Sequence, residues 1–189
     1  NRWLEKSITI SEFLNNSVWV NNKKFVDNNT RTFFLQQASQ FDDFSKLFIP
    51  RDFFSFFKNA HYLFKFYEEL ALECVDINDL KKYNIYEDYS EHLDILETLK
   101  TEYKKYLDKN NIIDKIFLPQ IYKINKSYIK SFEQISFYIE GYLTKYEHKL
   151  LKQCSKFTLI DLLISSTAYN KKLLKILDLD LEEGFEYHI

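Results

Sequence analysis

The sequence predicts an α/β fold that is predominantly helical, with a partial parallel sheet towards its two ends and a large helical insert between them. Three observations predict it. The apolar run Ile135–Ile139 in "QISFYIEG" reads as a strand, a helical pattern follows in "LTKYEHKLLKQCSK", and a second strand-like run follows in "FTLIDLLIS". Strand, helix and strand within about thirty residues make a βαβ unit, whose two strands must run parallel. Near the start, an extended piece at Ile8–Ile10 leads into a helix. Between these ends, apolar residues recur at spacings of three and four over about eighty residues, the period of helices buried along one face.

In chain order, Ser11 is the expected N-cap of the first helix, and Glu12 adds negative charge to its first turn. The stretch "NNKKFVDNNT" reads as a loop, with Thr30 capping "RTFFLQQASQF". Pro50 precedes a helix that places Phe53, Phe56, Phe57, Ala60, Leu63, Phe64, Tyr67 and Leu70 along one stripe. A second long helix carries Tyr89, Leu93, Leu96, Leu99, Tyr103 and Leu107. Acids lead it, lysines close it, and Asn110 and Asn111 are its stop signals. "IIDKIFLPQIYKIN" is apolar but interrupted by Pro119. The run Ile135–Ile139 suits a strand buried on both faces. Thr144 is the expected cap of the helix after it, and Thr167 of a final helix, "TAYNKKLLKILDL". The expected division is an α/β lobe over residues 1–30 and 112–189, and a helical insert over 31–111.

A chain of 189 residues supports one domain with a sizeable core, or two lobes that share one. Aromatic residues reach 18%, so the core is expected to be rich in rings. The net charge of −2 offers no global attraction for polyanions, and any such site must be a local patch. No run approaches the ~18 apolar residues that span a bilayer, which points away from a membrane partner and towards the cytoplasm. Cys74 and Cys154 stand alone, without CxxC spacing, and are expected to be buried and inert. The chain starts at Asn1 and contains no Met, so it is expected to be part of something longer.

The most specific chemical signal follows the first strand of the βαβ unit. An acid at the carboxyl end of a strand, before a turn into a helix, stands where nucleotide-hydrolysing folds place the carboxylate that helps hold Mg²⁺. Here the order is Glu140, Gly141, Tyr142, a degenerate Walker B-like sequence with glycine where many helicases carry a catalytic Glu. A phosphate-cradling GxxxxGK[ST] loop needs two nearby glycines, and this chain has only Gly141 and Gly184. No catalytic residue, cofactor or metal set is therefore expected. His61, His92, His148 and His188 are scattered, and the ExK of Glu102 and Lys104 lies in a helical pattern, not on a strand. For nucleic acid, "IYKINKSYIKS" interleaves Lys123, Lys126 and Lys130 with Tyr122 and Tyr128, the mixture of a backbone-tracking surface and a stacking platform. Lys23 and Lys24 form a smaller patch.

These phrases resemble a known family. "YKKYLDKNNIIDKIFLPQIY", then "IEGYLTKYEHKLL", together with the early "ITISEFL", are similar to the first helicase domain of the superfamily 1 helicase-nucleases, specifically the AddB (RexB) branch of the RecB-like family. The resemblance runs from about Ile8 to Ser165, through short motifs. It implies a partial RecA-like (1A-like) lobe, P-loop NTPase-like without a P-loop, with a 1B-like insert. Glu140 would stand at the Mg²⁺-ligating acid, Gly141 at the catalytic Glu and Tyr142 at the aromatic that follows. The implied role is a non-catalytic scaffold in DNA double-strand-break repair. It would contact DNA beside an AddA-like helicase subunit, with any exonuclease activity elsewhere in the parent protein. The competing expectation is a helical protein–protein interaction module unrelated to DNA.

Overall fold

The computed structural model describes residues 7–82, 88–139, 141–170, 174–177 and 182–188. In chain order the helices are α1 (Ile10–Ser17), α2 (Asn28–Ala38), α3 (Phe53–Leu72), α4 (Ile77–Leu80), α5 (Ser90–Lys109), α6 (Leu118–Ile121), α7 (Lys126–Ile129) and α8 (Lys145–Cys154). The strands are β1 (Val18–Trp19), β2 (Lys24–Phe25), β3 (Ile112–Ile113), β4 (Lys123–Ile124), β5 (Gln134–Ile139), β6 (Leu159–Ser165) and β7 (Glu186–His188). The architecture is mixed α/β, and the chain divides into a middle unit, Val20–Ile121, and an outer unit built from Asn1–Trp19 and Tyr122–Ile189.

The middle unit is a helical core around rings. Asp27, not Thr30, caps α2, its carboxylate accepting from the Asn29 and Thr30 amides at 3.0 Å. This start puts Arg31, Leu35 and Ala38 on the buried face. Asp52 caps α3 through the Ser55 amide, and α3 buries Phe56, Ala60, Leu63, Phe64 and Tyr67 against Leu93, Ile95, Leu99, Tyr103 and Leu107 of α5. Asn110 closes α5, and Asn111 takes the left-handed φ of 53° that asparagine tolerates. Strands β2 and β3 then pair in parallel, so the first and last segments of the unit run side by side.

One buried ion pair sits in that core. Arg31, 8% exposed, donates from Nε and Nη2 to Asp114, 1% exposed, at 2.7 and 3.0 Å, and from Nη1 and Nη2 to Glu68 at 3.0 Å. Its guanidinium lies 3.7 Å from the centre of the Phe64 ring. Burial works against the charge, but the charges and hydrogen bonds of Asp114 and Glu68 overcome it and hold the Arg31 pKa above its ordinary value. Tyr103 donates to the same Asp114 at 2.6 Å; burial first, and the neighbouring carboxylate second, push its phenol far above the usual range.

In the outer unit, Thr9 and not Ser11 caps α1, accepting from the Glu12 amide at 3.1 Å; residues 8 and 9 form no strand. Strands β5 and β6 are parallel from Gln134↔Leu159 to Ile139↔Ile164, with α8 between them in sequence, as expected for a βαβ unit. Thr144 caps α8 in a reciprocal capping box with Glu147. Strand β5 is covered on one face only: Phe137 and Ile139 are buried, whereas Tyr138 is 79% exposed. β5 is an edge strand, and its alternation of Ile135, Phe137 and Ile139 with Ser136 and Tyr138 matches a half-buried edge. The third strand, β7, adds antiparallel to β6 after a turn at Gly184, whose φ of +87° favours glycine. After β6, Thr167 and Asn170 exchange backbone-to-side-chain hydrogen bonds, and Leu174–Leu177 is a 3₁₀ turn; the rest of the expected last helix lies outside the described residues.

The two cysteines differ, contrary to expectation. Cys154 is fully buried and burial pushes its thiol up to about 11, whereas Cys74 is exposed just past α3. An alkylating reagent at about pH 8 is expected to modify Cys74 alone in the folded chain and both thiols in denaturant, as counted by mass spectrometry. Labelling of Cys154 without denaturant would contradict this packing. Among the described residues, no helix is long and apolar enough to cross a membrane.

Candidate nucleic-acid interface

Of the lysines named in the sequence, Lys123 and Lys126 line one groove of the outer unit and Lys130 lies over the ring of its lining residue Phe157, whereas Lys23 and Lys24 belong to the middle unit. Strands β1 and β4 pair antiparallel, with Trp19 directly opposite Lys123, and the Lys123 ammonium lies 5.9 Å from the Trp19 ring centre. Asn125 fixes the next turn. Its amide donates to the Ser17 carbonyl at 2.8 Å and its side chain to the Asn16 carbonyl at 3.0 Å, while its side-chain oxygen accepts from the Tyr128 amide. This clasp starts α7, where Lys126 and Lys130 stand one turn apart on the same side. Both ammoniums lie over the Phe157 ring, at 5.2 and 5.9 Å. Phe157 is held by the turn after α8, its amide donating to the Cys154 carbonyl at 2.9 Å. The resulting open groove, about 760 Å³, is lined by Trp19, Tyr122, Lys123, Lys126, Lys156 and Phe157 among others. Cation–π contacts at such exposed sites are worth about 0.5–1 kcal/mol each, so these lysines are weakly held.

Of the two expected aromatic partners, Tyr122 lines the groove and Tyr128 does not. Tyr128 packs inward between Phe13 and Phe132, with ring centres at 6.2 and 5.1 Å, and Tyr122 sets its ring edge-on against the buried Tyr146. Both tyrosines are half-buried, and the exposed ring of the groove is Trp19, at 47%. Trp19, Lys156 and Phe157 were not singled out by sequence, because the pairing that brings Trp19 to Lys123 leaves no local trace.

The segment that carries this groove is unbalanced in charge, and three of its lysines, Lys123, Lys126 and Lys156, line the groove. Residues 122–157 contain seven lysines, 123, 126, 130, 145, 149, 152 and 156, and three glutamates, one of which, Glu147, is occupied in the Thr144 capping box. Among the described residues none of these seven lysines forms an ion pair, whereas lysines of the middle unit are extensively paired, including Lys46 with Glu91, Lys115 with Glu68 and Lys23 with Asp108. The Lys23 of the smaller expected patch is therefore neutralised locally. The chain carries a net −2, yet this segment holds a local excess of positive charge.

The other candidate lies at the opposite end of the sheet. Gly141 and Tyr142 follow the carboxyl end of β5, whereas Lys156 and Phe157 stand just before the amino end of β6, which runs parallel to β5. Glu140 lies outside the described residues. Tyr142 is 52% exposed. Gly141 has no left-handed φ, and a Cβ built on it meets no atom within 4 Å, so neither backbone nor packing demands glycine there. Gly141→Ala is expected to leave stability unchanged or raise it by roughly 0.4–1 kcal/mol through the unfolded chain, as read by urea denaturation. A loss above about 1 kcal/mol would show a backbone requirement. No group of three His, Cys, Asp or Glu side chains among the described residues is arranged to hold a metal ion.

Comparison with protein-family models, with curated proteins and with solved structures finds no match to this chain.

Proposed function

We propose that this chain is a non-catalytic, DNA-contacting part of a helicase-nuclease subunit acting in double-strand-break repair. The outer unit serves as a partial RecA-like lobe and the middle unit as its helical insert. ATP turnover belongs to an AddA-like partner, since this sequence carries no glycine-rich phosphate loop. The observation that supports the reading is a groove whose lysines form no ion pair among the described residues, beside an exposed ring, which offers cations to a phosphate backbone and an aromatic face to a base.

The test is a titration of labelled duplex and single-stranded DNA with the full chain across a salt series. Binding that weakens linearly with log salt, and that falls when Lys123, Lys126 and Lys130 are neutralised, supports the reading. Binding that is salt-independent, or absent for duplex and single strand alike, overturns it.

A second reading, a helical protein-interaction module, is favoured by one feature of the middle unit. Phe48, Phe53 and Phe54 are 90%, 49% and 76% exposed around the start of α3, and Phe53 packs on Phe54 and Phe57. Failure of the DNA titration leaves this reading in place.

A further inference from the structure

We infer that the groove takes unpaired nucleotides, with Trp19 and Phe157 as stacking faces and Lys123, Lys126 and Lys156 on the strand's phosphates. The inference rests on the DNA-contact reading and names the strand form that this site selects. Trp19 stands on the paired strand β1 and Phe157 on the turn after α8, so backbone hydrogen bonds fix the positions from which both rings project. Lysine ammoniums meet both rings, at 5.2–5.9 Å, with Trp19 exposed and Phe157 half-buried. A base placed on either ring displaces a flexible cation, which then meets the phosphate of the same strand; the stack and the charge contact form together. A duplex keeps its base faces inside its own stack and cannot use the rings. The groove, about 760 Å³, has the size of small-molecule sites and so holds only a few nucleotides. It lies at the amino end of the parallel strands, the reverse of the edge where α/β sheets usually bind ligands and where Gly141 stands.

The experiment titrates the full chain with three labelled ligands at low salt. They are an oligothymidylate of about fifteen residues, an abasic strand with the same phosphates, and a duplex of the same length. Oligothymidylate is expected to bind roughly five- to a hundredfold tighter than the abasic strand. Trp19→Leu and Phe157→Leu are each expected to erase much of that difference while leaving abasic binding unchanged. Equal affinity for all three ligands, or leucine variants that weaken the abasic strand as much as oligothymidylate, overturns the stacking inference and leaves the DNA-contact reading standing. Binding of none of the three at low salt overturns both.

Discussion

Asp114→Ala is expected to destabilise the middle unit by about 3–5 kcal/mol, because it strips the buried Arg31 of its closest carboxylate without letting water in. The same change orphans the Tyr103 hydroxyl, which is fully buried and donates to Asp114 at 2.6 Å. Glu68 remains on the other side of the guanidinium and limits the loss. A domain has only about 5–15 kcal/mol in hand, so the shift in urea midpoint should be plain. Tyr103→Phe removes one hydrogen bond to a charged acceptor and should cost about 1.5–3 kcal/mol. The decisive contrast is Arg31→Met with Asp114→Leu together: replacing the whole pair with apolar groups should be far milder than breaking it. A double variant as unstable as Asp114→Ala would show that the charges are needed for more than mutual compensation. The network joins α2, α3, α5 and the segment after β3, so it ties the first part of the unit to its last.

Neutralising Lys123, Lys126 and Lys156 together as glutamine is expected to reduce the salt dependence of nucleic-acid binding by about 0.9 per lost contact on duplex, or about 0.7 on a single strand. Three lost contacts then lower the slope by roughly 2–3, with the affinity loss greatest at low salt. The unfolding midpoint should hardly move, since none of the three makes an ion pair among the described residues and their exposed ring contacts are weak. Lys46→Gln and Lys65→Gln in the middle unit serve as the control, because both lysines are engaged with carboxylates. If that control lowers the slope as much as the groove variant, the contact is diffuse and the groove is not the site.

Local chemistry made several elements legible. The T-x-x-E of Thr144 and Glu147 announces α8, and the spacing of Phe56, Ala60, Leu63, Phe64 and Tyr67 announces the buried face of α3. The parallel β5–β6 pair follows from two apolar runs joined by a helical one. The structure departs from local expectation where neighbouring residues compete for one role. "TISE" and "DNNT" each offer more than one capping side chain, and Thr9 and Asp27 take the role over Ser11 and Thr30. At α2 that start also turns Arg31, Leu35 and Ala38 inward. The apolarity of β5 predicts burial on both faces, but Ser136 and Tyr138 form its open side.

By itself the sequence determined helix periods, the Thr144 cap, the βαβ order, the lysines of the basic segment and the spacing of the chain's two glycines, because each depends on short stretches of residues. Only the tertiary structure decided that Arg31 meets Asp114, 83 positions away, and that the exposed ring beside Lys123 is Trp19 and not Tyr122 or Tyr128. It also decided that Gly141 and the basic groove occupy opposite ends of the parallel strands. These are pairings between distant segments, set by strand register and by which faces can be buried together, and a short stretch of sequence carries no record of its eventual neighbour.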